Sequence, residues 1–497
     1  MIYVPDDYPT IQSAVDNSTI GDEIIVRNGT YVENLVVDKP ITIRSEFGSE
    51  NCTIKNDVKH GTSFYLLSDY ITISGFNIIG KEYSPGGLGI SLYNVSNCNI
   101  SYNHIVLNSY CIKIQDSNNN IFYNNNIGKF YNVQYFGFWL HNSHNNEILD
   151  NTIYKCGGAG YGIHIEKSND NLIEGNYIWD NNYGIISIYS ENNIIKNNIF
   201  YKNFNGGLYL YRSNYTTISD NEINNTYLDG VLFEYSCFNI IKNNYLSKGD
   251  SFFLWHSFKN TFDNNYVNEK PLIVLENESD KQITDDAGEI ILINCDNIKI
   301  SNQDISNIDF GIEVFQSHNS TISDCIVSNS QLPAIYMFES DYNLIKDCEL
   351  KSSWQGITLY DSENNEISSN YVLGNDWEGI NLYSSNFNTV NSNIVKKNYD
   401  GIRIEKSDSN TITMNEIYKT QSNFVAFNFR YSDDNVAWGN YIHDNYYGIE
   451  LVYSSRNQFY HNDLISNTKN ANKIGDSYDN VWDNGYPIGG NFWDEYT

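Results

Sequence analysis

Short runs of alternating apolar and polar residues recur along this chain, each opened by a small residue and closed by a polar corner. GIHIEKSNDNLIEGN starts at Gly162 and GIRIEKSDSNTITMN at Gly401. The shared register, G-I-x-I-x-x-S-x-x-N-x-I-x-x-N, also fits GFWLHNSHNNEILDN from Gly137, GIISIYSENNIIKNN from Gly184, GLYLYRSNYTTISDN from Gly207 and GVLFEYSCFNIIKNN from Gly230. After an interruption it resumes at Gly311, Ala334, Gly356, Gly379 and Gly448, at a spacing of roughly 21–26 residues, which marks a solenoid. Ile163 and Ile165 alternate with His164 and Glu166, the period of a strand with one buried face. No copy carries a helical stripe. The expected fold is therefore all-β: a single-stranded right-handed parallel β-helix, with about sixteen coils stacked ~4.8 Å apart.

The closing Asn holds one position at Asn125, Asn151, Asn176, Asn198, Asn221, Asn244 and Asn265, then at Asn370, Asn393, Asn415, Asn440 and Asn462. An inward Asn at a corner can adopt the left-handed conformation and bond the equivalent Asn one coil away. The motif's Gly, Ser, Ile and Asn are thus read as structural. Between Asn265 and Asn370 the rung is filled by Gln303, Cys325 and Cys348, expected to be stacked, buried and mostly reduced thiols where Cys replaces Asn.

The ends lose the period. Ile11, Ala14 and Val15 after Thr10 predict a short helical cap over the open end of the solenoid. One domain is expected over 1–497: cap and first coils 1–60, a first stack 61–265, an irregular seam coil 266–288, a second stack 289–470, and an aromatic, Gly-rich cap 471–497.

The net charge is −31 and the sequence pI about 4.5, which disfavours nucleic acid and polyanionic glycans and suits divalent cations or neutral sugars. Arg is confined to Arg27, Arg44, Arg212, Arg403, Arg430 and Arg456. The eight cysteines form no CxxC pair, and no apolar run is long enough to span a bilayer. IYVPDDYPT after Met1 reads as the first turn of the fold rather than a signal peptide.

Three segments resemble the NosD-type β-helix family, also described as carbohydrate-binding and sugar-hydrolysis repeats: TIQSAVDNSTIGDEIIVRNGTYVENLVV, the pair KPLIVLENES and DAGEIILINCDNI, and WDNGYPIGGNFWDEYT. With the coils they cover nearly the whole chain. The resemblance implies a right-handed β-helix, an extracellular or cell-surface location with a signal removed before this start, and an association with polysaccharides. Some members are described as copper-binding accessory proteins. The scaffold alone implies no active site.

Chemistry is expected on the outward strand positions, two and four residues after the Gly. His141 and Glu166 share a column in consecutive coils, with His164 and Trp139 beside them; a His–carboxylate couple suits acid–base work, and two His with a Glu suit a metal. The alternative is a surface His–Glu hydrogen bond. Glu378 and Asp400 precede the Gly of neighbouring coils, and Asp229 and Asp250 repeat the arrangement, so calcium or an ion-pair network is expected there. Lys59-His60-Gly61 and Asp285-Asp286 are isolated fragments. Tyr209, Tyr211, Phe253, Trp255, Phe315, Tyr336, Phe338, Tyr360 and Tyr383 project outward with Trp139, as a ligand face or as aromatic packing along a sheet. The expected function is a secreted or cell-surface β-helix that binds a glycan or another envelope component through that face, or self-associates there. The alternatives are a polysaccharide lyase, hydrolase or epimerase built on His141, His164 and Glu166, and a structural envelope protein.

Overall fold

The computed structural model describes residues 1–56, 61–80, 87–128, 136–157, 160–226, 228–421 and 424–494. Lys59 and His60 lie outside them. The chain is a right-handed parallel β-helix of about 20 turns. The excess over sixteen comes from coils near the ends and the seam, which lack the Gly-anchored motif but still pair, as Ile2–Val4 does with Glu23–Val26.

Each turn carries a long strand and two short ones, such as Tyr161–Glu166, Leu172–Glu174 and Tyr177–Trp179. In the repeating coils strands pair in parallel with their counterparts one coil on: Ile163 faces Ile185, Ile173 faces Ile195 and Ile178 faces Phe200. Ile163, Ile165, Ile173 and Ile178 are fully buried. Stacked β-branched side chains therefore form the core, and the alternate residues face out.

Ladders of stacked side chains hold the corners. Asn176 shows the first: its N–H and Nδ2 both donate to Asn198 Oδ1 at 2.9 Å, while its own Oδ1 accepts the N–H and Nδ2 of Asn151 at 2.9 and 3.1 Å. Its Nδ2 also reaches the carbonyls of Ile148 and Glu174. The left-handed residue is not the ladder Asn but the one before it: Asn124, Asp150, Gly175, Asn197, Asp220 and Asn243 all have positive φ. The preceding residue turns the corner, which leaves the Asn side chain pointing inward. A second Asn ladder runs through Asn146, Asn171 and Asn193, and a serine ladder through Ser143, Ser168 and Ser190. Acidic turn residues serve too, since Asp408 and Asp433 accept backbone N–H groups of the next coil at 2.7 Å. Part of the acidity is thus built into the corners.

The chain forms two compact units, Met1–Asn265 and Tyr266–Thr497. The boundary falls where the seam begins. Tyr266–Val267 folds back antiparallel on Lys270–Glu276, through Asn268 and Glu269, both with positive φ as a tight hairpin turn needs. At the other end of the chain, helix Ile11–Asn17 has a Thr10/Ser13 capping box and buries Ile11, Ala14 and Val15. Glu33 accepts the N–H groups of Ile11 and Gln12.

The eight cysteines are unbonded. Cys325 and Cys348 replace two rungs, their thiols donating to the carbonyls of Ser323 and Lys346 at 3.1 and 3.2 Å. Cys348 still donates its N–H to Asn370 Oδ1. Its contact with Cys325, then burial, raises the Cys348 thiol pKa, which favours the protonated form. Thiol titration of the unfolded protein should count the same number with and without reductant. Two extra thiols on reduction, mapped to 325 and 348, would contradict this.

Candidate functional site

In the first unit His141 and Glu166 pair across adjacent strands, and His141 Nδ1 lies 3.2 Å from Glu166 Oε2. The imidazole also stacks on Trp139 (centroids 5.3 Å apart, planes at 8°), and Lys113 Nζ sits 5.0 Å from the indole centroid. His164 stacks on Phe136 and meets Tyr161 edge-on. Neither of its ring nitrogens has a partner among the described residues, and burial pulls its pKa down to about 4, so it is neutral at ordinary pH. The sequence-predicted trio is therefore adjacent. One histidine is oriented by a carboxylate and the other is an uncharged imidazole in an aromatic wall.

The aromatic columns divide. In the second unit Phe315 and Phe338 are buried, at 3% and 6% exposure, so they offer a ligand almost nothing. Tyr336 meets Phe310 and Phe315, and Tyr360 stacks on Tyr383 at 4.9 Å, so ring faces there are largely used on each other. In the first unit Tyr209 donates its hydroxyl to Glu234 Oε2 at 2.6 Å, and Phe253 tilts against Trp255. Tyr211 meets Tyr189 and Tyr235 edge-on, at 82° and 89°. Arg212 lies 5.4–5.8 Å from all three of these rings. Tyr189 and Tyr235 are 47% and 43% exposed.

Tyr189, Arg212, Tyr235 and His256 are functional candidates that the two outward columns omit. They stand five residues after the motif's first position, and each has positive φ, which carries its side chain round beside the strand's last outward residue. That fixed offset was the available signal.

The acidic positions behave differently from one another. Glu378 is tied at both oxygens, to Arg403 Nη1 at 2.8 Å and to Gln355 Nε2 at 2.5 Å, and Arg403 also holds Glu405. Asp400 accepts from Val425 N–H and Asn428 Nδ2. This is the ion-pair network. Asp250 is fully buried; its Oδ1 accepts the N–H and hydroxyl of Thr226, its Oδ2 has no partner among the described residues, and burial pushes its pKa up to about 7. Burial likewise raises Asp229 to about 6. Among the described residues no three His, Cys, Asp or Glu side chains converge as a metal site.

Comparison with known proteins places the chain. It matches the family model described as periplasmic copper-binding protein (NosD) over residues 128–273, 277–428 and 376–497, and the right handed beta helix region over 41–186. The chain belongs to the NosD family. A curated relative, a cell surface glycoprotein of Methanothermus fervidus, is 35% identical over 100 residues, which are 20% of this chain and 16% of that protein.

Solved structures similar to this NosD-family chain include the bacteriophage phi29 gene product 12 N-terminal fragment (10% identity, TM-score 0.44, 93% of this chain and 89% of that one). Another is DFA-IIIase from Arthrobacter chlorophenolicus A6 in complex with GF2 (12%, 0.35, 65% and 83%). A third is a PL6 alginate lyase complex with trisaccharide (13%, 0.35, 77% and 81%).

The described residues do not fit the copper centre that the family description implies, because no three His, Cys, Asp or Glu side chains among them converge on one point.

Proposed function

We propose that this chain is a cell-surface β-helix that binds an uncharged envelope glycan through the Tyr189, Tyr211, Arg212 and Tyr235 face of its first unit. The observation that carries this reading is the exposed ring cluster there. Tyr235 gives one face to His256 at 5.2 Å, yet Tyr189 and Tyr235 stay 47% and 43% exposed, so ring surface remains for sugar C–H groups, while the Arg212 guanidinium beside the rings can donate to hydroxyls. The net charge of −31 disfavours polyanionic ligands, and the name of the Methanothermus relative agrees with a surface location. Self-association through the same face is the competing use of these rings.

The His141–Glu166 pair beside neutral His164 supports a second reading, a polysaccharide-acting enzyme; turnover on the same glycans distinguishes it from binding alone.

On an array of envelope and neutral plant glycans the wild type should bind at least one uncharged polymer. Tyr211→Ala should weaken that binding by on the order of tenfold, as loss of an aromatic anchor does, without altering the solution mass. Binding unaffected by Tyr211→Ala, or dimer dissociation on this substitution, would refute the reading.

A further inference from the structure

The second unit holds a different constellation. On the outward face of its long strands, Arg403 bridges Glu378 and Glu405, and Asn428 donates to Asp400. Four polar atoms in this group are shielded from solvent and have no partner among the described residues: Asn381 Oδ1, Asn428 Oδ1, Arg403 Nε and Arg430 Nε. Asn428 is only 3% exposed. Buried polar groups are ordinarily satisfied, so two orphaned acceptors and two orphaned donors in adjacent strands require an external partner or water.

One side of the group is bordered by rings. Trp354, Trp377 and Tyr399 stand two residues before Gly356, Gly379 and Gly401 and stack at 6.4 and 4.5 Å. Trp354 and Trp377 are 40% and 36% exposed, in a position where a soluble surface has no need of indole.

We infer that this face of the second unit binds the adjacent hydroxyls of an uncharged saccharide, with Asn381 and Asn428 accepting, Arg403 and Arg430 donating, and the exposed indole edges of Trp354 and Trp377 at its border. Charge selects the ligand class. Three carboxylates stand against two guanidiniums, so the group has no cationic excess with which to hold an anionic sugar, whereas a diol supplies a donor and an acceptor at each hydroxyl. The shielded atoms become reachable when a neighbouring surface side chain changes rotamer. The inference rests on other residues than the first-unit reading and stands or falls separately from it.

The test is a tryptophan-fluorescence titration of the whole chain with oligosaccharides of β-glucan, mannan and chitin, and with oligogalacturonate as the anionic control. At least one neutral oligosaccharide should give a saturable change, and oligogalacturonate none. Asn381→Ala removes an acceptor that has no protein partner among the described residues, so it should weaken binding on the order of tenfold while the unfolding midpoint stays unchanged. Trp377→Phe should reduce the fluorescence amplitude. Tyr211→Ala should leave this titration as it is. No saturable change with any neutral sugar, equal binding of oligogalacturonate, or wild-type affinity in Asn381→Ala would each overturn the inference.

Discussion

Replacing Asn176 with leucine is expected to destabilise the first unit by about 3–6 kcal/mol, because buried groups left without partners cost about 1–3 kcal/mol each. The substitution strips the acceptor from the N–H and amide of Asn151, and the amide donor from the carbonyls of Ile148 and Glu174. It also takes the amide donor from Asn198 Oδ1, although the backbone N–H of residue 176 can still reach it. Cysteine at the same position should cost less, since Cys325 and Cys348 already occupy that rung with their thiols turned to nearby carbonyls. Urea unfolding followed by far-UV circular dichroism gives the ranking: wild type, then Cys, then Leu. A Leu variant as stable as wild type would mean that the ladder is incidental to the corner.

The second large effect has the opposite sign. Asp250 has a folded pKa raised from 3.8 to about 7 by burial, so the native state keeps a proton that the unfolded chain has already released. Its stability contribution is therefore complete below the unfolded pKa and falls as pH rises through the folded one. Each pKa unit corresponds to about 1.4 kcal/mol, which puts the loss between pH 4 and pH 8 on the order of 2–4 kcal/mol. Asp229, raised to about 6, adds in the same direction. Asp250→Asn keeps an acceptor for Thr226 and places an amide where Oδ2 lacks a partner. The variant should unfold at a higher temperature than wild type at about pH 8 and show a flatter pH profile, with the two converging near pH 4. A variant less stable than wild type at about pH 8 would show that the carboxylate has a charge-stabilising partner there.

The repeat was legible because its chemistry is periodic. Ile163, Ile165 and Asn176 each recur at a fixed offset, and β-branched stacking and corner amides need those residue types. The left-handed corner lies one residue before the ladder Asn: Asn124, Asp150 and Gly175 differ chemically, and only the backbone shows that they share a conformation. Serine and second-Asn ladders stood in the motif as conserved letters whose bonding the sequence did not specify. Phe315 and Phe338 were read as outward, but burial depends on the neighbouring chain that covers a strand, which periodicity does not encode. Trp354, Trp377, Tyr399 and Tyr189 stand at the corners on either side of the long strands, where the two-residue alternation carries no signal. The His141–Glu166 bond was legible, since parallel in-register pairing fixes which side chains meet.

If this acidic β-helix holds uncharged sugar on its outward faces, affinity electrophoresis of the intact chain through gels containing single polysaccharides should reveal it. Retardation is expected with at least one neutral polymer and none with polygalacturonate, and it should be lost when Tyr211→Ala and Asn381→Ala are combined. Unchanged mobility in every neutral gel, or equal retardation of wild type and double variant, would contradict it.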